Sequence, residues 1–446
     1  MSDGANGGAD LSGGAPLSDM AAEYTGRFVV VFSDEVADDA GASTAALRSV
    51  AEVSNIASSL DFKEGAVDLE QTESADATIF AKLGVAVVSA DPTRGAAIAA
   101  LAESDSRILV VEPERILHAI AERPGSLEYA RGYRDGVSGL YEQLAGGGSG
   151  NGAVDPAVAS SFADTASFTW GLQATLASGS TRTGAGISVA VLDTGFDLNH
   201  PDFVGRPIIS QSFVPGQAVQ DLHGHGTHCV GTSCGPKDSP GPSRRYGVAT
   251  LAKIFVGKVL SNQGSGSDSQ ILAGMNWALT NNVQVISMSL GANVPQVSQA
   301  YETVGQRALQ AGALIVAAAG NNADRSAGNV GFVGMPANSP SIMAVGAIDS
   351  NLGIANFSAR SGAVAGGKVD IAGPGVAVHS SWPIPTRYRS ISGTSMATPH
   401  VAGVAALVSQ ATGTRGQALW NKVIQTTRPL TLPSADVGAG LVQAPL

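Results

Sequence analysis

Residues 221–231 read DLHGHGTHCVG and place His223, His225, His228 and Cys229 within seven positions. Two chemistries are open to such a cluster, a metal site or a general base with neighbours. On a helix His225, His228 and Cys229 share one face, as zinc ligands do. No acidic residue stands between the histidines, however, so a metal-bound water would lack its local base. Three other stretches supply what acid–base chemistry needs. ISVAVL runs straight into Asp193-Thr194-Gly195, ALIVAAA runs towards Gly320-Asn321, and SGTSMATPHVAG sets Ser395 at the start of a long apolar helix. A helix N-terminus offers free backbone N–H groups to a nucleophile. Each residue has a plain alternative: Ser395 as a helix cap, Asn321 as a turn former. Asp-Thr-Gly alone also fits an aspartic protease, but that chemistry needs two carboxylates sharing a proton, and the chain holds one such triplet. Taken together, a nucleophile, a base, an orienting carboxylate and an oxyanion donor are the parts of an acyl-transfer site.

These residues need a scaffold, and the apolar pattern describes one. After residue 168 the segments ISVAVL, KIFVGKV, VQVISMS, ALIVAAA and SIMAVGA alternate with helical stretches. Continuous apolar strands separated by helices predict a parallel sheet covered on both faces, an α/β fold with its chemistry at the carboxyl ends of the strands. One such helix shows the stripe Val297, Tyr301, Val304 and Ala308 and stops before Gly312. Residues 24–120 follow a different order, βαββαβ, which predicts a small ferredoxin-like α+β sandwich. Residues 121–167 read as a connector. Leu127, Tyr133, Val137, Leu140 and Leu144 fall on one helical face before the joint GGGSGNG. Residues 1–23 are small, polar and glycine-rich, a disordered leader without the basic start and apolar stretch of a secretory signal. The expectation is a protein that stays inside the cell or leaves by an unconventional route, or one whose signal has already been removed.

Length and charge narrow the possibilities further. A chain of 446 residues holds two to three domains. Its apolar runs fall short of the about 18 residues needed to span a bilayer, so no membrane partner is expected. The net charge of −11 is unevenly distributed: 10 basic and 26 acidic residues up to 167, against 16 basic and 11 acidic beyond it. Opposite signs suit the docking of the first part on the second. There is no basic run with interleaved aromatics to suggest nucleic acid. Cys229 and Cys234 lie on one helix and point apart, so no disulfide joins them. Cys229 follows His225 by one turn and is expected to be a small apolar filler.

The order Asp193, His225, Ser395 excludes the serine-first and histidine-first arrangements of other hydrolases. With VAVLDTGFDLNHPDF, GHGTHCVGT, YGVAT, GKVLSNQGSGS, ISMSLG, AAAGNN, DIAGPGV and SGTSMATPHVAG in sequence, residues 168–427 resemble the subtilisin-like serine proteases, most of all the proteinase K group. The resemblance implies a serine endopeptidase with a subtilisin-like sheet and a catalytic domain over 168–446. It makes Ser395 the nucleophile, His225 the base, Asp193 its orienter, and Asn321 with the Ser395 N–H the oxyanion hole. Peptide or protein substrate would lie between Gly264-Ser265-Gly266 and Ser289-Leu290-Gly291, with an apolar or aromatic P1 residue. Residues 24–120 resemble the inhibitor-type propeptide of these enzymes, implying a monomeric zymogen that cuts itself between about 120 and 165. No cofactor is implied for catalysis. At most one structural calcium is, on Asp370 and the carbonyls of Pro340 and Ile342. The rivals are an inactive binding module on the same fold and a processing enzyme with one narrow partner.

Overall fold

The computed structural model describes residues 23–51, 53–89, 98, 100, 102–120, 161–239, 243–362 and 366–446. The expected connector helix and most of the leader lie outside the described residues. In the N-terminal part the strands are β1 (Tyr24–Phe32), β2 (Ile56–Ser58), β3 (Ala77–Phe80), β4 (Val85–Val88) and β5 (Ile108–Ala119), paired in the order β5-β1-β4-β3-β2. Apart from the short edge strand β2, which runs parallel to β3, this is the strand order of the expected ferredoxin-like sandwich, whose second helix falls mostly outside the described residues. The stretch STAALRSVAEVSNIASS over residues 43–59 predicts one helix, whereas the helix ends at Ala51. Asp76 explains the difference: its carboxylate accepts the N–H groups of Ser54 and Asn55, both at 2.9 Å, and so draws the chain out towards β3.

The C-terminal part continues with β6 (Ser188–Asp193), β7 (Ile208–Ser212), β8 (Lys253–Lys258), β9 (Ser265–Ser267), β10 (Val285–Met288), β11 (Leu290–Gly291), β12 (Leu314–Ala318), β13 (Met343–Ile348), β14 (Ile371–Pro374), β15 (Val378–Ser381) and β16 (Tyr388–Ile391). Seven of these form one sheet in the order β14-β13-β12-β10-β6-β8-β7, every pairing parallel. Alternation along each strand sorts the core onto two faces. Val189, Val191, Val256 and Val316 pack with Val230, Met396 and Val404 of the helices His225–Cys234 and Thr394–Thr412. Ala190, Leu192, Phe255 and Ile315 pack with Leu272, Trp277 and Val304 of the helices Asp268–Thr280 and Gln299–Gln310.

The same alternation attaches the sandwich. Val30, Phe32, Ala86 and Val88 face its own helix, whereas Val29, Val31, Val85 and Val87 join the core beneath Asp268–Thr280 and Gln299–Gln310. Polar locks fix the register. Arg307 donates to the carbonyls of Phe32, Leu83 and Gly84 and to the Asp34 carboxylate, at 2.7–3.0 Å. The β5 residues Glu112 and Glu114 accept the N–H groups of Gln299 (2.7 Å) and Ser269 (2.8 Å) at the starts of the two helices, where a carboxylate is favoured. Among the described residues no helix is long and apolar enough to cross a membrane.

Candidate active site

The strand ends and helix starts singled out in the sequence converge. Asp193 closes β6, and its Oδ1 accepts the His225 Nδ1 proton at 2.7 Å, with both side chains buried. His225 is the first residue of its helix, after Gly224 at φ 101°. A side chain at Gly224 would meet the Trp382 ring, and one at Gly226 would meet the Gly195 carbonyl, so glycine at both lets the helix abut the end of β6. Burial disfavours a charged imidazole, but Asp193 outweighs it and holds the His225 pKa well above the ordinary histidine value. His225 Nε2 is buried without a hydrogen-bond partner.

Ser395 opens the opposing helix, and its Oγ donates to the Ser289 carbonyl at 3.0 Å. Ser289 Oγ in turn donates to the Ser395 carbonyl at 2.8 Å, fastening that helix start to the strand region beside it. Asn321 lies just beyond β12. Its Oδ1 accepts both the Thr394 N–H (2.9 Å) and the Thr394 hydroxyl (2.8 Å), so its Nδ2 must face the other way. There it meets the Ile120 carbonyl at 3.3 Å.

Ile120 is the end of a strand that occupies the cleft. β5 pairs antiparallel with β9 through Ile116↔Ser267, Leu117↔Gly266 and His118↔Ser265, and with β11 through His118↔Gly291 and Ala119↔Leu290. The Ala119 N–H reaches the Gly264 carbonyl at 2.8 Å, and that of Ile120 reaches Ser289 at 3.2 Å. All six residues expected to line a substrate strand therefore flank this one.

The histidine cluster separates on folding. His228 Nε2 donates to the Val378 carbonyl at 2.9 Å, and burial pulls its pKa down to about 3, so it is a neutral core residue. Cys229 Sγ lies 3.9 Å from His225 Nδ1, and burial pushes its thiol pKa up. Among the described residues Asp193, His225 and Cys229 do group closely enough to hold an ion. Both cysteines are free. At the far edge Asp370 is held by the β13–β14 pairing: its N–H donates to Ala344 O at 3.0 Å and its Oδ2 accepts the Ala344 N–H at 2.8 Å. Ile342 and Pro340 belong to the turn that enters β13.

Sequence reasoning missed two supports. Asp221 is fully buried and accepts from Thr194 Oγ1, the N–H groups of His223 and Gly224, and both the N–H and hydroxyl of Thr227. Lys258, also buried, donates to the Thr194 carbonyl and to Asn262 Oδ1. Their signal was the polar type of a residue next to a motif, which acquires meaning only once its partners are in place.

A parallel sheet thus brings Asp193, His225, Ser395 and Asn321 together at its carboxyl edge, the residue types that acyl transfer requires. The chain belongs to the subtilase family, whose model matches residues 184–440. It is 41% identical over 262 residues to subtilisin E of Bacillus subtilis (strain 168), covering 58% of this chain and 65% of that protein, a little under two thirds of its length. It is similar also to subtilisin Savinase of Lederbergia lenta, 41% identical over 62% of this chain and 96% of the relative. M-protease of Shouchella clausii (strain KSM-K16) is 44% identical over 54% of this chain and 59% of the relative.

The contact between Cys229 and His225 has a measurable consequence. A mercurial on Cys229 is expected to displace the imidazole and lower peptide hydrolysis by about 10²-fold, as small shifts of catalytic groups do. Cys229→Ala should remain active and become resistant. Titration of both proteins checks this, and equal sensitivity would assign the effect to Cys234.

Proposed function

We propose that the chain is a serine endopeptidase made as a zymogen, with residues 24–120 as its folding aid and inhibitor. The observation that carries this reading is the Ile120 carbonyl on Asn321 Nδ2, at the end of a strand paired on both sides. In the reaction, Ser395 Oγ turns from the Ser289 carbonyl and attacks the scissile carbonyl carbon while His225 Nε2 takes its proton. Asn321 Nδ2 and the Ser395 N–H bear the oxyanion. The imidazolium, stabilised by Asp193, gives the proton to the departing amine, and water releases the acyl group by the same steps in reverse. We place self-cleavage after Ile120 and infer an apolar preference at the residue that donates the carbonyl, since Ile120 Cδ1 lies against Gly291. Affinity to the proteinase K group is our finer placement within the family, drawn from the ordered motifs of residues 168–427.

Ser395→Ala should leave the full-length chain uncut in a host lacking such proteases, as read by N-terminal sequencing. Asn321→Ala should keep the fold and lower kcat by about 10² to 10³, a magnitude known from subtilisin itself. Normal maturation of Ser395→Ala would overturn the assignment.

Inhibition by the sandwich should depend on salt and pH. Asp268 is buried against β5, and burial beside the Glu114 charge raises its pKa to about 7 although hydrogen bonds from Arg115 and Tyr301 oppose this. Freed from the sandwich it returns towards the usual carboxylate range, so docking takes up a proton. Affinity is therefore fullest at low pH and falls as pH rises through about 7. The opposite charges of the two parts add a component screened by salt. Inhibition constants for the separated segment over a pH and salt series test both terms.

We also propose one structural calcium held by Asp370 and the carbonyls of Pro340 and Ile342, a hard oxygen set that suits this ion. Burial raises the Asp370 pKa to about 7, so without a cation its ionisation costs stability as pH rises from about 4 towards 7. A bound cation offsets that cost. Calcium should raise the melting temperature at pH 8, and Asp370→Ala should abolish the increment. An increment unchanged in the variant would refute the site.

A further inference from the structure

The β5–β9 ladder ends at Ile116↔Ser267, because the chain turns after Ser267 into the helix Asp268–Thr280 and offers no further strand edge. The next N–H, that of Arg115, is nevertheless satisfied. It donates to Asp268 Oδ2 at 2.7 Å, while Asp268 Oδ1 accepts the Tyr301 hydroxyl at 2.8 Å. Asp268 and Tyr301 are almost fully buried, at 2% and 1% exposure, so the carboxylate cannot swing freely between partners. The plain alternative for an acid in a first helical turn is to cap its own helix, but that task is taken. Gln270 accepts the Ser267 N–H at 2.9 Å, and Glu114 accepts that of Ser269.

Counting back from Ile120, Arg115 is the sixth residue on the acyl side. We propose that Asp268 is a substrate-binding residue that extends the peptide site to this sixth position, recognising the backbone N–H there through a side chain oriented by Tyr301. The proposal rests on the reading that β5 lies in the cleft as a substrate does. Its ligand is an extended peptide of at least six acyl-side residues. Because the contact is to the main chain, it selects for length and against proline at that position rather than for one side chain. The carboxylate continues the ladder where the backbone turns away, in the manner of strand addition with one borrowed acceptor. Beyond it, Glu114 and Glu112 reach the helix starts through side chains peculiar to the sandwich, so the general peptide site ends at Arg115.

The test uses the self-processed enzyme and two internally quenched peptides carrying Ala-Ala-Arg-Ile-Leu-His-Ala-Ile on the acyl side, one N-methylated at the arginine. A buried hydrogen bond is worth enough that N-methylation should lower kcat/KM by about 5- to 10-fold in the wild type. In Asp268→Ala the ratio between the peptides should fall towards one, and in Asp268→Asn, which keeps an acceptor oxygen, it should lie between. The ratio is taken within each protein, so a loss of folded enzyme cancels. Hydrolysis of both peptides with the same ratio in wild type and Asp268→Ala overturns the proposal. Hydrolysis of neither by the wild type instead removes the peptidase reading and this proposal with it.

Discussion

A single buried carboxylate fixes the geometry on which the site depends. Asp221 accepts five hydrogen bonds, from the hydroxyl next to Asp193, from the loop before His225, and from Thr227 inside the first turn of the base helix. Strand end, loop and helix start are thereby joined at one point, and the 2.7 Å contact of His225 with Asp193 follows. A buried charge is tolerated only when its lone pairs are filled, so losing any one donor costs more than the bond itself. Lys258 adds a positive charge on the same strand end. The combination ties the strand end that carries Asp193 to the helix start that carries His225.

On the nucleophile side, rigidity comes from reciprocal bonds rather than a central charge. Ser289 and Ser395 exchange hydroxyl and carbonyl contacts, and Thr394 fixes the amide of Asn321 from two directions. The Asn321 Nδ2 is therefore aimed by contacts other than the Ile120 carbonyl it meets, as the proposed oxyanion role requires. Ser395 Oγ rests on the Ser289 carbonyl and His225 Nε2 has no hydrogen-bond partner, so the proposed attack requires the hydroxyl to leave that carbonyl.

The N-terminal sandwich uses the cleft differently from its remaining contacts. Residues 115–120 bind through main-chain pairing, which any extended peptide can reproduce. The attachment beyond them is particular: one face of β1 and β4 shares the core of the larger part, Arg307 gathers three carbonyls, and two glutamates cap two helices. Main-chain pairing in the cleft and side-chain pairing outside it are what the proposed roles of substrate site and inhibitor require. The acidic balance of the first 167 residues finds its structural expression in Glu112 and Glu114 at positive helix ends.

The sequence by itself determined the fold class, and it singled out four residues, Asp193, His225, Asn321 and Ser395, that folding brings to one edge of the sheet. Unbroken apolar runs can be satisfied only by a parallel sheet buried on both faces, and such sheets present their strand ends to one edge. The strands β1 and β4 are apolar on both faces, so which face meets the sandwich's own helix and which the larger core was not legible. The local pattern overran the helix ending at Ala51, since the carboxylate that draws the chain onwards comes from Asp76, distant in sequence. It also left His223, His225, His228 and Cys229 as one cluster. Only folding gave two of those histidines opposite protonation behaviour, by burying His228 and by setting Asp193 against the buried His225. Asp221, Lys258, Thr394 and Asp268 were silent for the same reason: a polar side chain declares its role through its partners, and folding brings those partners together.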